Sequence, residues 1–433
     1  MTATQKDQIL QEIRQLIAGT DFENHVFMVG GIVRDELMGL PVKDIDICVD
    51  IPDGGIKLAL FITNRQHTYR KRNHPELFQA YGIARFHLAS FPDIELECVQ
   101  TRQERYENRD SRNPITGFAP IQDDCFRRDL TINALYKNIS TGEIVDITGN
   151  GLSDLKQHII RTPREPFITF DEDGLRLLRV VRFTSRFGWK IEPDTFQGLK
   201  DCASRIQTIT QDRITDEISR MLCDPNPDYA MQLLLDTGLL PFVLPEWNEI
   251  AGNGTSWTNL LKAVAHADGL LEMRLTAFLQ LFTWEESQAI LKRMNFTLDI
   301  QKKVQKLHQH LHDLDGTDDK NLLSDKELRK LQYAWGIEAE PILNLLEGRF
   351  TSLNPGNEAL IQSIKARCLQ MKQEGTDCFA LVLPVNGKDI MEALQLKPGP
   401  QIREFMNRAL SMCFENPKIT KQEILQKLNT EHC

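Results

Sequence analysis

The feature that most constrains the fold is a strand, a diglycine turn and a helix in direct succession near the N-terminus. Residues 26–29 form an apolar run with strand propensity, Gly30 and Gly31 follow, and residues 32–38 have helical spacing without a breaker. Such a turn lets the backbone approach a ligand closely and points helix N–H groups at phosphate. No Lys-Ser or Lys-Thr pair closes the pattern, so it is not a P-loop. Taken alone, the glycines are equally consistent with an ordinary β–α turn.

The next predicted strand carries acidic residues at alternate positions. The apolar residues 45, 47 and 49 alternate with Asp44, Asp46 and Asp50, which is the period of a half-buried strand. Asp44 and Asp46 then point to the same side and can share divalent ions, and their hard oxygen ligands suit Mg²⁺. Two such ions can activate an attacking hydroxyl and stabilise a leaving pyrophosphate. A bare Asp-x-Asp is more often a solvated strand face, and these residues alone do not exclude that interpretation.

A second acidic strand is predicted over residues 94–99. Glu95 and Glu97 share one face of it, and apolar residues share the other. Either glutamate could complete a metal site, and an exposed edge strand is an equal alternative.

Residues 172–187 predict an amphipathic helix with a basic stripe. The arginine stripe consists of Arg176, Arg179, Arg182 and Arg186. Asp173 and Arg176 are three residues apart and are predicted to lie on one helix face. A carboxylate can accept from the exocyclic amine of cytosine or adenine, while the guanidinium donates to the adjacent ring nitrogen; uracil and guanine present the opposite groups. One Asp–Arg pair can therefore select CTP and ATP without a template, although a local helix salt bridge would have the same spacing.

Composition restricts the partners and the compartment. The net charge is −10, so RNA contact must come from local patches such as residues 70–72 and the arginine stripe. Nine cysteines without metal-ligand spacing indicate a reducing cytoplasm. A polar N-terminus without a secretory apolar region, and the lack of an apolar run of membrane length, predict a cytoplasmic protein without a membrane partner.

Taken in order, these motifs resemble the class II tRNA nucleotidyltransferases (CCA-adding enzymes), the class that also contains bacterial poly(A) polymerases. The resemblance is clear over residues 25–245 and weaker beyond. The runs that carry it are residues 29–39 with 44–46, 127–134, 146–155, 172–183 and 212–217.

The resemblance implies an α+β fold. Residues 1–140 would form a polymerase β-like nucleotidyltransferase head with a small mixed sheet and the catalytic site. All-α segments would follow: a neck over residues 141–220 that recognises the base, a body over residues 221–315, and a tail over residues 316–433 that binds tRNA.

The resemblance also implies a role for each matching residue. Asp44 and Asp46 would bind the catalytic Mg²⁺, and Glu97 aligns better than Glu95 with the third acidic residue. The residues expected around the triphosphate, ribose and base of the nucleotide are Gly30, Gly31, Arg34, Arg127, Arg128, Asp129, Asn133, Asp173, Arg176, Arg179 and Arg182.

The predicted activity is template-independent addition of C, C and A to the 3′ end of tRNA from CTP and ATP, with release of pyrophosphate, by a monomer or homodimer. A poly(A) polymerase or a partial CC- or A-adding enzyme is the close alternative. A catalytically idle RNA-binding protein is a more remote one, because a binder needs neither the Asp44–Asp46 pair nor the Asp173–Arg176 pair.

Overall fold

The computed structural model describes residues 3–42, 45–66, 74–105, 115–316, 323–353 and 358–432. The chain divides into two compact units, residues 1–248 and 249–433. Asp44 and the basic patch at residues 70–72 lie outside the described residues. The division into head, neck, body and tail stays a prediction.

Strands are concentrated in the N-terminal part of the first unit. They are β1 (Val26–Val29), β2 (Asp46–Val49), β3 (Glu76–Phe78), β4 (Ile83–Leu88), β5 (Phe91–Gln100), β6 (Arg102–Arg105), β7 (Ile115–Phe118), β8 (Tyr136–Asn138), β9 (Ile144–Val145), β10 (Ile159–Ile160) and β11 (Lys190–Ile191).

The main sheet is mixed, as predicted. Its strand order is β3-β4-β5-β2-β1-β8-β9. β2 and β5 run parallel, whereas the other neighbours run antiparallel. Two small pairs accompany it, β6 with β7 antiparallel and β10 with β11 parallel. The parallel pair matters for function, because it places the two predicted acidic strands side by side.

Helices account for most of the remaining chain. Up to residue 243 they are α1 (Ala3–Ile17), α2 (Gly31–Leu37), α3 (Gly54–Arg65), α4 (Ile121–Asp124), α5 (Gly151–Gln157), α6 (Pro166–Glu172), α7 (Leu175–Phe187), α8 (Pro193–Asp201), α9 (Gln211–Cys223), α10 (Pro227–Asp236) and α11 (Leu240–Val243). Beyond residue 243 they are α12 (Asn248–Gly252), α13 (Gly254–His266), α14 (Leu271–Leu279), α15 (Trp284–Arg293), α16 (Leu298–His308), α17 (Asp325–Trp335), α18 (Ala339–Leu353), α19 (Glu358–Glu374), α20 (Gly387–Leu394), α21 (Gln401–Glu415) and α22 (Lys421–His432).

The central strands β1 and β2 pack against apolar side chains on both faces of the sheet, whereas the edge strand β3 is exposed. Helix α1 presents Ile9, Ile13 and Ile17 at four-residue spacing, and all three are fully buried in the core that α1 and α3 form against one face. On the other face, Phe27 and Tyr136 belong to a smaller core. This double burial holds the strands in a fixed register and therefore fixes the side chains at their ends.

The shift from mixed to helical structure follows the change in sequence pattern. After residue 150, the strands among the described residues are the two-residue β10 and β11. Within the described part of the chain, we find no helix with both the length and the apolar character needed to cross a membrane.

Candidate active site

A cleft of about 520 Å³ in the first unit gathers most of the predicted site residues. Every predicted residue that the structure describes, apart from Asp173 and Arg176, lines this cleft. These residues are Gly30, Gly31, Arg34, Asp46, Glu97, Arg127, Arg128, Asp129, Asn133, Arg179 and Arg182. Segments that are up to about 150 residues apart in sequence therefore converge on one site.

The diglycine turn forms one wall of the cleft. Gly30 has φ +77°, a conformation that glycine adopts without steric cost, and α2 begins at the next residue. A Cβ atom on Gly30 would lie 3.6 Å from the Asn133 carbonyl oxygen and 3.7 Å from Arg128 Nη1. The predicted strand–turn–helix unit is therefore confirmed, with the turn packed beside cleft residues.

Two acidic side chains meet on adjacent strands. Asp46 opens β2, and in the parallel pairing of β2 with β5 its partner is Glu97. Both line the cleft, whereas Glu95 is not among the lining residues. Glu97 also accepts a hydrogen bond from Arg85 Nε at 2.9 Å. The strand register thus favours Glu97 over Glu95 as the third carboxylate.

Carboxylate oxygens are the donor type that a hard divalent ion requires, so Asp46 and Glu97 fit such an ion. Among the described residues, which do not include Asp44, no group of three or more His, Cys, Asp or Glu side chains is arranged to hold a metal. The role of the Asp44–Asp46 pair therefore stays a prediction.

Arg127 and Arg128 share one buried carboxylate that the sequence reasoning missed. Asp124, at the end of α4, accepts hydrogen bonds from Arg127 Nη2 at 2.7 Å and from Arg128 Nη2 at 2.9 Å. The signal was present as an acidic residue three and four positions before the two arginines. Acidic and basic residues at this spacing commonly form exposed ion pairs on a helix, so the pattern did not indicate a buried carboxylate.

A polar network links the head motifs to α7. Arg179 Nε donates to Asp129 Oδ2 at 2.7 Å, Asn133 Nδ2 donates to Asp129 Oδ1 at 3.2 Å, and Arg34 Nη1 donates to Asn133 Oδ1 at 2.5 Å. Burial works to raise the pKa of Asp129, but the ion pair with Arg179 and the hydrogen bonds hold the pKa below its ordinary value. Asp129 is therefore kept charged and oriented.

The network continues from α7 into α9. Glu217, which is 3% exposed, accepts from Arg182 Nε at 2.6 Å and lies 3.6 Å from Arg179 Nη1. Burial is the main cause that lowers the pKa of Arg182, and Glu217 opposes it. A carboxylate on α9 thus holds two arginines of the stripe at the cleft.

Phe183 lines the cleft, although the sequence analysis did not single it out. The guanidinium carbons of Arg34, Arg179 and Arg182 lie 5.0, 5.5 and 4.3 Å from the centre of its ring. An aromatic face stabilises nearby cations electrostatically. Phe183 therefore helps to keep three arginines crowded at one site.

The predicted placement of Asp173 and Arg176 on one helix face is wrong. Helix α6 ends at Glu172, α7 begins at Leu175, and Asp173 is extended between them. A Cβ atom on the buried Gly174 would lie 2.5 Å from the Arg205 carbonyl oxygen. At Gly174 the backbone packs directly against the backbone of Arg205. A residue with a side chain at this position would prevent that contact.

As a result, the two residues have separate partners. Asp173 Oδ2 accepts from Arg213 Nη2 at 3.0 Å, and Asp173 Oδ1 accepts from the backbone N–H of Leu175 at 3.0 Å. Arg176 donates to Glu172 Oε2 at 3.0 Å and to the Thr169 carbonyl at 2.9 Å. Their role in reading the base stays a prediction.

Two protein-family models match segments of the first unit. Residues 26–161 match the family described as "Poly A polymerase head domain". Residues 188–250 match the family described as "Probable RNA and SrmB- binding site of polymerase A".

Individual relatives extend the similarity over nearly the whole chain. The tRNA nucleotidyltransferase cca2 of Schizosaccharomyces pombe is 27% identical over 453 residues, which cover 94% of this chain and 92% of that protein. The CCA-adding enzyme of Ligilactobacillus salivarius is 28% identical over 436 residues, which cover 96% of this chain and 93% of that protein.

A solved structure has the same fold. The crystal structure of the Bacillus stearothermophilus CCA-adding enzyme in complex with CTP aligns with 100% of this chain and 99% of its own, with a TM-score of 0.70 and 22% identity. With its sequence motifs, its mixed-sheet head and these relatives, the chain belongs to the class II nucleotidyltransferase family of CCA-adding enzymes and bacterial poly(A) polymerases.

Proposed function

We propose that this protein adds C, C and A to the 3′ end of tRNA, using CTP and ATP and no template. The observation that carries the proposal is the cleft itself, in which the carboxylates of Asp46 and Glu97 share one site with the head arginines and α7. A nucleoside triphosphate needs cations around its phosphates, and the transfer needs acidic ligands beside the reacting phosphorus. The cleft provides both within about 520 Å³.

The reaction that fits this arrangement is an in-line displacement at the α-phosphorus. The 3′-hydroxyl oxygen of the RNA forms a new bond to that phosphorus, the bond to the bridging oxygen of the β-phosphate breaks, and pyrophosphate leaves. Arg127, Arg128 and Arg179 line the same cleft, and their guanidinium donors would offset the charge of the phosphates. Asp129 and Asn133 hold polar atoms in place for the ribose or phosphate groups.

Enzymes of this family depend on a divalent metal, and we propose Mg²⁺ as the ion. Asp46 and Glu97, with Asp44 by its sequence position, are the residues that would hold it. When bound, such an ion neutralises phosphate oxygens and makes the attacking hydroxyl more acidic.

Base selection is proposed to involve Asp173 and Arg176. In the structure their polar atoms are paired with Arg213 and Glu172. Reading a base would require both to exchange these partners for the Watson–Crick edge of cytosine or adenine. Because uracil and guanine would leave both groups mispaired, selection against UTP and GTP follows from the cost of unsatisfied polar atoms.

The remaining parts of the proposal concern tRNA binding, the cellular compartment and the oligomeric state. The tail is proposed to bind the body of the tRNA, as the family resemblance implies, and the reaction is proposed to occur in the cytoplasm. A monomeric or homodimeric state stays a prediction.

The deciding experiment offers the purified protein a tRNA that lacks its 3′ end, with each NTP singly and in pairs. We expect addition of C with CTP alone, and of three nucleotides with CTP and ATP. The variant Asp46→Ala should lose incorporation while keeping its unfolding temperature. Asp93→Ala is a matched control, because Asp93 is an exposed acidic residue of the neighbouring strand β5.

Two outcomes would redirect the proposal. A long ladder of A from wild-type protein and ATP would identify a poly(A) polymerase. Near-normal turnover by Asp46→Ala would remove the carboxylates from the chemistry.

A further inference from the structure

Asp124 is a fully buried acidic residue beside the cleft that is not needed to bind a metal or a base. Its exposed fraction is 0%. Oδ1 accepts from Arg127 Nη2 at 2.7 Å and Nε at 2.9 Å, and Oδ2 accepts from Arg128 Nη2 at 2.9 Å and Nε at 3.1 Å. One carboxylate thus binds both guanidinium groups, each through two N–H donors.

Two further donors hold the carboxylate itself in place. The Tyr136 hydroxyl donates to Oδ2 at 2.6 Å and accepts from Arg128 Nε at 3.0 Å. The backbone N–H of Arg102 donates to Oδ1 at 3.0 Å. Tyr136 lies in the core of the sheet face and is fully buried. The position of the carboxylate is therefore set by the sheet rather than by a flexible side chain.

Asp124 is a charged partner of two cationic side chains. Asp124 carries one negative charge against the two positive charges of Arg127 and Arg128, and both arginines line the cleft. Burial works to raise the pKa of Asp124, but the two guanidinium groups hold it well below its ordinary value. At neutral pH Asp124 is therefore ionised, and the two guanidinium groups that it holds line the cleft.

We propose that Asp124 is a positioning residue, which fixes Arg127 and Arg128 in the orientation that binds the triphosphate tail of the incoming nucleotide. This inference rests on the proposed function. Arginine and lysine side chains lose much rotational freedom when they bind a phosphate. Here that freedom is already lost in the folded protein, so the phosphates meet donors that need no rearrangement.

The variant Asp124→Asn isolates this role because it keeps the shape of the side chain. An amide has one acceptor oxygen and one NH₂ group that only donates. Whichever way it is oriented, the NH₂ group faces a guanidinium, so one arginine loses its acceptor. Asp123→Asn is the matched control, since Asp123 is the preceding residue on α4 and is exposed.

The test measures binding of CTP and of CMP to wild-type protein, Asp124→Asn, Asp123→Asn and Tyr136→Phe, together with KM and kcat for CTP and ATP. In Asp124→Asn we expect the Kd of CTP and both KM values to rise roughly 10- to 100-fold. The Kd of CMP, which lacks the β- and γ-phosphates, should change by less than about threefold. Tyr136→Phe should show the same pattern more weakly, because Asp124 and Arg128 each lose one contact with the hydroxyl while the hydrogen bonds between the carboxylate and both guanidinium groups remain.

Equal losses for CTP and CMP would overturn the inference, because they would indicate a general defect of the fold. Unchanged CTP affinity in a folded Asp124→Asn would also overturn it. If Asp124→Asn does not fold, Tyr136→Phe decides, and unchanged CTP affinity in that variant counts against the inference. Binding is measured without transfer, so a wild type that prefers CTP to CMP but adds nothing to tRNA contradicts the proposed function alone.

Discussion

Adding one methyl group at Gly174 should displace the proposed base-reading residues and slow incorporation of CTP and ATP without unfolding the protein. Gly174 follows Asp173 and precedes the first turn of α7, which carries Arg176. In Gly174→Ala the new Cβ would lie 2.5 Å from the carbonyl oxygen of Arg205 and 2.9 Å from its carbon. Both are backbone atoms of a short 3₁₀ segment, residues 203–208, so no flexible side chain can move aside.

The size of the effect follows from this distance. Non-bonded heavy atoms settle about 3.5–4.0 Å apart, so the start of α7 must move by about 1 Å. Overpacking of this kind costs about 1–3 kcal/mol, which lowers the unfolding temperature by roughly 2–12 °C for a unit of this size. A displacement of about 1 Å at an active site can lower the rate about 100-fold. We therefore expect kcat/KM for CTP and ATP to fall by about that factor.

The assay compares incorporation of all four NTPs at a temperature where the variant is folded. Gly254→Ala is the control, because Gly254 is exposed and a Cβ there meets nothing within 4 Å. Its activity should equal that of wild type. Wild-type rates and wild-type selectivity in Gly174→Ala would refute the reasoning, since they would show that contact with Arg205 does not set the position of the selecting residues.

Two further predictions concern stability. Glu217→Gln should lower the free energy of unfolding by about 3 kcal/mol, because it neutralises one partner of a buried ion pair. The control Asp216→Asn breaks an exposed pair on the same helix and should lower it by about 0.5 kcal/mol or less. Similar losses for the two variants in chemical denaturation would contradict the first prediction. Burial lowers the pKa of His308 below its ordinary value. As the pH falls, the unfolded state therefore takes up the proton before the folded state does. The free energy of unfolding should fall as pH drops below about 6.5, by at most about 1.4 kcal/mol per pH unit. His308→Gln should flatten this slope. Denaturation curves between pH 5 and pH 8 provide the measurement, and an unchanged slope in His308→Gln would count against the prediction.

Local patterns were sufficient to predict the elements that position the site. The apolar run before Gly30, the alternation around Asp46 and the acidic strand containing Glu97 each encode structure within a few residues. Their order along the chain resembled one family closely enough to predict the mixed sheet and many of the residues that line the cleft. These features could be predicted because hydrophobic periodicity and turn residues act locally.

Features that depend on tertiary contacts could not be predicted in this way. The Asp173-Gly174 dipeptide is a local turn signal, but nothing within residues 172–187 identifies the backbone of Arg205 as the segment that packs against the break. The family resemblance already favoured Glu97 over Glu95, but the pairing of Glu97 with Asp46 became evident only from the register of β2 against β5. The burial of Asp124 and its hydrogen bond with Tyr136 depend on the fold and could not be predicted from the residues around Asp124.

The long-range ion pairs limit how this sequence can change during evolution. Asp129 pairs with Arg179 fifty residues away, and Arg182 pairs with Glu217 thirty-five residues away. Losing one partner leaves a buried charge uncompensated, whereas replacing both with apolar residues of similar volume is often close to neutral. Single substitutions at these positions are therefore disfavoured by stability, and the place of Asp129, Arg179 and Arg182 in the cleft disfavours the paired replacements as well. Among descendants of this sequence that keep the activity, both pairs should be kept.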